Sequence, residues 1–363
     1  MPLGADIRST VKRLPYMNQL ASRFRSVEAE QMQLAQRVDA LAARQTQFAL
    51  RLETVAAQQA TAAQQATAAT EQASDAQSAP ATTPALPPSP FAPGHYYSPI
   101  PALDEVLARA EVIWPDPLPT SLPGIELNDA GQLALLDQIG AFYGEQPFGD
   151  VPHAGLRYGF KNDFYAYGDA LFLYGMLRHL RPRRVIEVGS GHSSAVTLDT
   201  VDRFMPDEVI CTFIEPEPAR LYSLLTPADR SRVEIIERPV QDVELARFEA
   251  LEAGDILFID GSHVAKIGGD VNFLYFEVLP RLRPGVHVHI HDIFYPFEYP
   301  RWWIEKGFVW SEDYVVRAFL MYNSAFEIAL FSDYLARFHR DRLAELMPLA
   351  LNNTGGNLWL RRR

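Results

Sequence analysis

The chain has 363 residues, of which 48% are hydrophobic and 21% are charged. This length and composition allow a sizeable buried core and two or three segments, which excludes a wholly disordered protein. The net charge of -12 argues against binding along a nucleic-acid backbone, which requires clustered lysine and arginine. The single cysteine, Cys211, excludes an internal disulfide and a cysteine-held zinc. Because the sequence has no long apolar run and no secretory signal pattern, we expect a cytoplasmic, soluble protein without a membrane span.

The first 60 residues carry a heptad-like pattern. Apolar side chains recur at alternating spacings of four and three residues, interrupted only by Gln31 and Gln45: Leu20, Phe24, Val27, Leu34, Val38, Leu41, Phe48, Leu52 and Val55. A period of about 3.5 residues is typical of left-handed coiled coils, although an amphipathic helix on the protein's own surface has a similar pattern. We predict that residues 1–60 form a coiled coil that joins copies of the chain into a homo-oligomer.

The next two segments differ in composition. Residues 61–95 are rich in alanine, glutamine and proline, and the motif QQATAA occurs twice, from Gln58 and from Gln64. This composition predicts an extended linker. Residues 96–180 begin with frequent prolines and continue with helical patterns at 129–143 and 169–180. We predict that residues 96–180 form a helical cap that leads into the following domain.

Short β-branched runs alternate with helical patterns in residues 181–363. The runs are 184–188, 209–214, 233–237, 255–260, 285–291, 327–331 and 357–360. This alternation predicts an α/β fold with a doubly wound, mainly parallel seven-stranded sheet. The last two runs are joined by a helical pattern at 334–349, and we expect them to add an antiparallel pair at one edge.

The first predicted strand leads into a glycine turn, which reads EVGSGHSS from Glu187 to Ser194. Gly189 and Gly191 lack a Cβ, so the backbone can turn tightly and approach a ligand. A serine after the turn can cap the next helix. Because an acidic side chain before the glycines would repel a pyrophosphate, the turn favours a cationic ligand.

Acidic residues also follow the second and third predicted strands. The second strand ends at Glu215, whose carboxylate can accept hydrogen bonds from both hydroxyls of a ribose. After the third strand, Val240 offers an apolar wall for an adenine ring, with Gln241 and Asp242 as its polar contacts. Each acidic residue alone is typical of a solvated loop, but their order along the chain predicts a nucleoside site.

These segments, EVGSG, IEP, VQD and LFIDGSH, resemble the class I S-adenosylmethionine-dependent methyltransferases, from about Tyr165 onward. The sequence from LRYGFKNDFYAYGDA through HIHDIFYPFEYP is similar to a narrower bacterial group called methyltransferase family 24. The resemblance implies S-adenosylmethionine as the cofactor. It implies that the ribose is bound by Glu215 and the adenine by Gln241 and Asp242. The residues implied at the methionine part are Glu187, Gly189, Ser190 and Gly191.

The fourth and fifth predicted strands end in further polar residues. Asp260 ends strand four, with His263 three residues later, and His291 and Asp292 end strand five. Because the carboxyl ends of neighbouring strands meet at one crevice, we expect these side chains to lie close together. The pattern is similar to that of metal-dependent O-methyltransferases of catechols and macrolide sugars. That resemblance implies a divalent metal (Mg²⁺ or Mn²⁺) at Asp260, His291 and Asp292, and His263 as the general base. It also implies that Asp260 has a catalytic role and contacts the cofactor.

His291 departs from this pattern, because the family usually has an Asp or Glu at that place. Imidazole is a poorer ligand for Mg²⁺ than for manganese, iron or zinc. The alternative interpretation is structural: Asp260 and Asp292 only cap strand ends, and His263 hydrogen-bonds a loop carbonyl. His287 and His289 share a strand face with His291 by period-two alternation, and we predict that they pack within the sheet.

The loop after the fifth strand, IFYPFEYPRWW, is dense in aromatic residues. Aromatic faces beside a few polar groups suit a sugar ring or another flat hydroxylated acceptor, although core packing explains many of them equally well. We predict that the acceptor is contacted by Tyr295, Glu298 and Arg301. A lid over the same crevice is predicted from Arg157, Tyr158, Tyr165, Tyr167 and Asp169.

The sequence thus predicts an S-adenosylmethionine-dependent O-methyltransferase that acts on a hydroxyl of a small molecule or glycan, with a saccharide favoured over a phenol. A relative of the cephalosporin hydroxylase-like proteins is a second possibility. In a third, the coiled coil is the functional part, as a scaffold, and the α/β domain is a catalytically silent binding module.

Overall fold

Seven β-strands form one central sheet in the part of the chain that the computed structural model describes, residues 89–363 except Ala154 and Asp207. The strands are β1 (Arg184–Val188), β2 (Ile210–Ile214), β3 (Glu234–Ile236), β4 (Ile256–Ile259), β5 (His287–Ile290), β6 (Phe326–Phe331) and β7 (Leu358–Arg362). Their order across the sheet is β3-β2-β1-β4-β5-β7-β6. Strands β1 to β5 are parallel, whereas β7 is antiparallel to both β5 and β6. The predicted doubly wound sheet with an antiparallel pair at one edge is confirmed.

Two apolar layers lie on opposite faces of the sheet, because successive side chains of a strand point to opposite sides. Ile186 and Leu257 belong to one layer, and Val185 and Phe258 to the other. The longer helices are α3 (Asp129–Gly140), α4 (Gly168–Leu180), α5 (His192–Phe204) and α11 (Glu312–Leu320). The shorter ones are α1 (Leu103–Ala108), α2 (Ala110–Ile113), α6 (Ala219–Leu224), α7 (Pro227–Arg232), α8 (Leu245–Glu249), α9 (Asp270–Phe273), α10 (Arg301–Glu305), α12 (Ser332–Phe338) and α13 (Arg340–Leu346).

The predicted helical cap shares a core with the sheet. Leu136 of α3 and Leu171 of α4 are buried in the same apolar cluster as Phe258 of β4 and Trp359 of β7. Residues 89–363 accordingly form one compact unit. The predicted coiled coil of residues 1–60, and the linker as far as residue 88, lie outside the described residues.

The single helix predicted at 334–349 was wrong in its continuity. The chain forms α12, then α13, and then a short 3₁₀ turn at Pro348–Asn352. His339 separates the two helices with φ and ψ of -130° and 32°, outside the helical region. Within the described residues, no helix combines the length and the apolar character that crossing a bilayer requires.

Candidate active site

The glycine turn lies at the carboxyl end of β1, where the strand order reverses between β1 and β4. Gly189 has a φ of +83°, and a Cβ there would lie 1.6 Å from the carbonyl oxygen of Asp260, so only glycine fits. Beneath the turn, Glu187 is buried, and its Oε1 accepts hydrogen bonds from the hydroxyls of Ser193 (2.6 Å) and Ser194 (2.8 Å). Burial raises the pKa of Glu187 to about 8, against the opposing effect of these hydrogen bonds.

Glu215, directly after β2, reaches the same turn. Its Oε2 accepts the backbone N–H of Ser190 at 3.1 Å, and its Oε1 accepts that of Glu217 at 2.8 Å. The turn and Glu215 border a cavity of about 500 Å³, which we call the glycine-loop cavity. The predicted cofactor contacts that line it are Gly189, Ser190, Gly191, Glu215 and Asp260.

Two predicted adenine contacts lie elsewhere. Gln241 is exposed in the 3₁₀ turn Val240–Asp242, and its side-chain amide donates to the carbonyl of Gly268 at 2.9 Å. Asp242 lines a separate depression beside β3, together with Glu237. The structure does not bring these two side chains to the glycine-loop cavity, so their contact with adenine stays a prediction that this geometry does not support.

The ends of β4 and β5 bring three candidate metal ligands together. Nδ1 of His291 lies 3.3 Å from Oδ1 of Asp260 and 3.7 Å from Oδ1 of Asp292. One ligand atom from each residue lies within 4.8 Å of the others, and we call this group the Asp-His-Asp cluster.

Burial alone would lower the pKa of His291, but Asp292, Asp260 and Asp169 raise it well above its ordinary value. Burial raises the pKa of Asp292. Burial opposes ionisation of Asp260 as well, but His291 and His263 hold its pKa below the ordinary range.

His263 is buried beside this cluster. Its Nδ1 lies 2.9 Å from Oε2 of Glu312, and its Nε2 lies 3.3 Å from Oδ1 of Asp260 and 3.8 Å from Oδ2 of Asp292. Burial alone would lower its pKa, but the hydrogen bonds to Asp260 and Glu312 raise the pKa to about 10. In this arrangement the imidazole keeps its proton at neutral pH.

Sequence reasoning missed Glu312, which begins α11 and lies 49 residues after His263. An acidic residue in the first turn of a helix is common because its negative charge is stabilised by the positive end of the helix dipole. The sequence therefore carried no signal that would single out Glu312.

Asp169 orients the far side of His291. Its Oδ1 lies 3.2 Å from Nε2 of His291, and it accepts hydrogen bonds from the side-chain amides of Asn357 (3.1 Å) and Asn353 (3.2 Å). Metal-binding histidines usually present their second ring nitrogen to such a carboxylate. His289 instead stacks on Trp359 with ring centroids 4.5 Å apart, as predicted for a residue that packs within the sheet.

A second cavity of about 570 Å³ is bordered by His291 and Asp292 of the Asp-His-Asp cluster, and we call it the aromatic cavity. Its apolar walls are Phe164, Phe294, Pro300, Trp302, Trp303, Phe308 and Trp310. Its acidic walls are Asp163, Asp169 and Asp292, and no lysine or arginine lines it among the described residues. The two cavities share four walls: Phe164, His291, Asp292 and Trp310.

The three predicted acceptor contacts do not line either cavity. Tyr295 is buried, and its hydroxyl donates to the carbonyl of Pro119. Oε1 of Glu298 accepts from the hydroxyl of Tyr314 at 2.6 Å, and the exposed Arg301 pairs with Glu305 at 2.9 Å. The loop thus turns its other residues, Phe294, Trp302 and Trp303, toward the aromatic cavity.

The predicted lid residues mostly anchor their segment. The guanidinium of Arg157 forms ion pairs with Asp199, Asp202 and Asp229. Tyr158 donates to the carbonyl of Tyr165, and Tyr167 donates to Asp150. The lid residues that line a cavity are Tyr165, at the glycine-loop cavity, and Asp169, at the aromatic cavity.

Parts of this chain are similar to known proteins. Residues 186–293 match a family model described as a methyltransferase domain. An uncharacterised protein of Archaeoglobus fulgidus is 37% identical over 164 residues, which are 45% of this chain and 74% of that protein.

Solved structures show a looser likeness. A methyltransferase of Podospora anserina with S-adenosylhomocysteine bound is 16% identical, with 72% of this chain and 94% of that chain covered and a TM-score of 0.35. An O-methyltransferase of Streptomyces achromogenes from tomaymycin synthesis is 15% identical, with 66% and 91% covered and a TM-score of 0.34.

Proposed function

We propose that this chain, which belongs to the class I S-adenosylmethionine-dependent methyltransferase family, methylates a hydroxyl group of a saccharide. The observation that carries the proposal is the wall that the two cavities share at His291 and Asp292. A methyl donor bound in the glycine-loop cavity and an acceptor bound in the aromatic cavity would therefore meet beside His291 and Asp292. Such placement favours an in-line displacement, in which alignment supplies much of the rate.

The glycine-loop cavity suits S-adenosylmethionine. Gly189 and Gly191 let the backbone approach the methionine part, and Glu215 can accept hydrogen bonds from the ribose hydroxyls. Glu215 is held by two backbone N–H groups, so its carboxylate is already oriented before the cofactor binds. The acidic groups at this end also favour the positive charge of the sulfonium.

The aromatic cavity suits an uncharged hydroxylated ring. Indole and phenyl faces stack on the apolar face of a sugar, and a few polar groups give orientation. Among the described residues its charged walls are carboxylates and His291, so a phosphorylated or carboxylated acceptor would be repelled by Asp163, Asp169 and Asp292. A neutral saccharide therefore fits better than an anionic one.

The donor set of the Asp-His-Asp cluster fits a divalent metal. Two carboxylates and one imidazole converge, and Asp169 lies 3.2 Å from the second nitrogen of that imidazole, where metal-bound histidines usually have a carboxylate. Asp260, His291 and Asp292 would hold the ion, with manganese or iron favoured over magnesium by the imidazole. Such an ion would orient and acidify the acceptor hydroxyl.

His263 is our proposed general base. The sulfonium S–CH₃ bond breaks as the O–CH₃ bond forms, the hydroxyl proton passes to Nε2 of His263, and the products are S-adenosylhomocysteine and a methyl ether. His263 can take this proton only after it has lost its own, which Asp260, Glu312 and Asp292 now favour. Nδ1 of His263 faces Glu312 and Nε2 faces Asp260, so Nε2 is the nitrogen that would accept the proton.

The test is a methyl-transfer assay with labelled S-adenosylmethionine, Mn²⁺, neutral methyl glycosides and catechol. We expect label in a methyl ether of a glycoside with the parent protein and labelling about 100-fold slower with Asp292→Asn. The matched control Asp137→Asn changes an exposed carboxylate that pairs with Arg342 and should keep full turnover. Label on catechol alone would replace the saccharide by a phenol, and failure to bind S-adenosylmethionine would reject the proposal.

A further inference from the structure

We propose that the acceptor is an oligosaccharide, whose reacting ring lies in the aromatic cavity and whose next ring stacks on Phe308 and Trp302, two exposed walls of that cavity. This inference rests on the proposed methylation of a saccharide. It adds the length of the acceptor chain, for which a single sugar ring is the simpler alternative.

The aromatic walls form a continuous series of ring contacts that starts beside the reaction centre. Trp310 borders both cavities and lies against His263, with ring centroids 4.5 Å apart. Trp303 and Phe308 contact Trp310, with centroids 4.9 Å and 5.3 Å from it. Trp302 and Phe308 in turn contact Trp303 at 5.5 Å and 6.2 Å. A sugar chain that begins beside His263 can thus continue along the same row of rings.

The last rings of this series are exposed to solvent. Phe308 is 43% exposed and Trp302 is 52% exposed, and both are grouped around the same indole. Grouped apolar side chains on a surface commonly mark a binding site, whereas single ones need no explanation. Phe164, the third exposed aromatic wall, is less available, because the Arg220 guanidinium lies 3.8 Å from its ring centre and His192 stacks on it at 5.8 Å. Phe308 and Trp302 are therefore the rings that can receive a second sugar.

The size and the polar surroundings of the aromatic cavity also fit a sugar chain. Its volume of about 570 Å³ is more than one pyranose ring fills. Asp163, an exposed wall, offers carboxylate oxygens to sugar hydroxyls, and the ammonium of Lys306 lies 4.8 Å from the ring centre of Trp302. Aromatic faces beside hydrogen-bonding groups suit a ring that has both an apolar face and hydroxyls. A wholly apolar partner would instead bury these charged groups without partners.

The test compares the KM of neutral acceptors of two lengths. The probes are methyl glycosides of one and of two glucose, galactose or mannose units, assayed with labelled S-adenosylmethionine and Mn²⁺. In the series that is labelled, we expect KM to fall about tenfold from one sugar to two. The gain should appear in KM and not in kcat, because the second ring lies away from the reacting hydroxyl. Labelling with equal KM at both lengths would overturn this inference and leave the proposed function standing, whereas a lack of label in every glycoside would reject both.

Two substitutions locate the second ring. In Phe308→Ala and in Trp302→Ala, the tenfold difference in KM between the two lengths should shrink to less than about threefold. The matched control Phe276→Ala removes an exposed phenylalanine that lines neither cavity, and should keep the full difference. Calorimetric binding of S-adenosylhomocysteine verifies that each variant is folded, because neither Phe308 nor Trp302 lines the glycine-loop cavity. A difference that persists in both variants would place the second sugar elsewhere and overturn the assignment.

Discussion

Replacing Glu187 by glutamine should stabilise the protein at neutral pH. Glutamine keeps an oxygen for the hydroxyls of Ser193 and Ser194, so the local hydrogen bonds survive. It removes only the ability to ionise. The buried carboxyl has a pKa of about 8 in the folded chain, against 4.5 for an ordinary glutamic acid.

The size of the effect follows from proton linkage. Below pH 4.5 the Glu187 carboxyl is protonated in both the folded and the unfolded chain, so it adds no pH dependence. Between pH 4.5 and about 8 the unfolded chain loses this proton and the folded chain keeps it, so folding stability falls as the pH rises. At about 1.4 kcal/mol per pH unit, the parent is about 3 kcal/mol less stable than Glu187→Gln at pH 7. For a chain of this size that corresponds to about 5 to 10 °C in melting temperature.

The assay is a series of thermal melts of both proteins from pH 4.5 to 8 without cofactor. The slopes that other titrating groups cause are common to both proteins and cancel in the difference. We expect the two melting temperatures to agree near pH 4.5 and to separate as the pH rises. Parallel curves, or a glutamine variant that is less stable throughout, would refute the reasoning.

Three further results are expected. Exhaustive chelation should abolish turnover, and Mn²⁺ should restore it better than Mg²⁺. The variant Asp292→Asn should have a kcat about 100-fold lower than the parent. Turnover that survives chelation would show that the reaction needs no metal. Trp302→Ala should raise the acceptor KM by about tenfold without changing cofactor affinity, because Trp302 lines only the aromatic cavity; an unchanged KM would argue against stacking there. Deletion of residues 1–60 should reduce the oligomer number in light scattering and leave turnover intact, and an unchanged mass would count against the coiled coil.

The convergence of Asp260 with His291 and Asp292 could be predicted because the topology requires it. Strands β4 and β5 are neighbours and parallel, so residues that follow them meet at one edge whatever the loops do. The contact between His263 and Glu312 could not be predicted in this way. It spans 49 residues and depends on how α11 packs, which no local pattern specifies.

The aromatic loop shows a second limit. A strand alternates its side chains with a period of two, so its faces can be assigned from sequence. The loop after β5 has no such period, and the predicted acceptor residues Tyr295, Glu298 and Arg301 turned out to pack or pair elsewhere. Their neighbours Phe294, Trp302 and Trp303 line the aromatic cavity instead. Composition could indicate an aromatic surface there, but not which rings form it.

The hydrogen bond between Asp169 and Asn357 joins residues 188 positions apart. During synthesis, translation must therefore proceed past residue 357 before this carboxylate gains both of its amide donors, Asn353 and Asn357. A ribosome-bound chain that ends before β7 would lack this support, however well β1 to β5 had already paired. The Asn357 donor beside this carboxylate is therefore added only after β1 to β6 have all been synthesised.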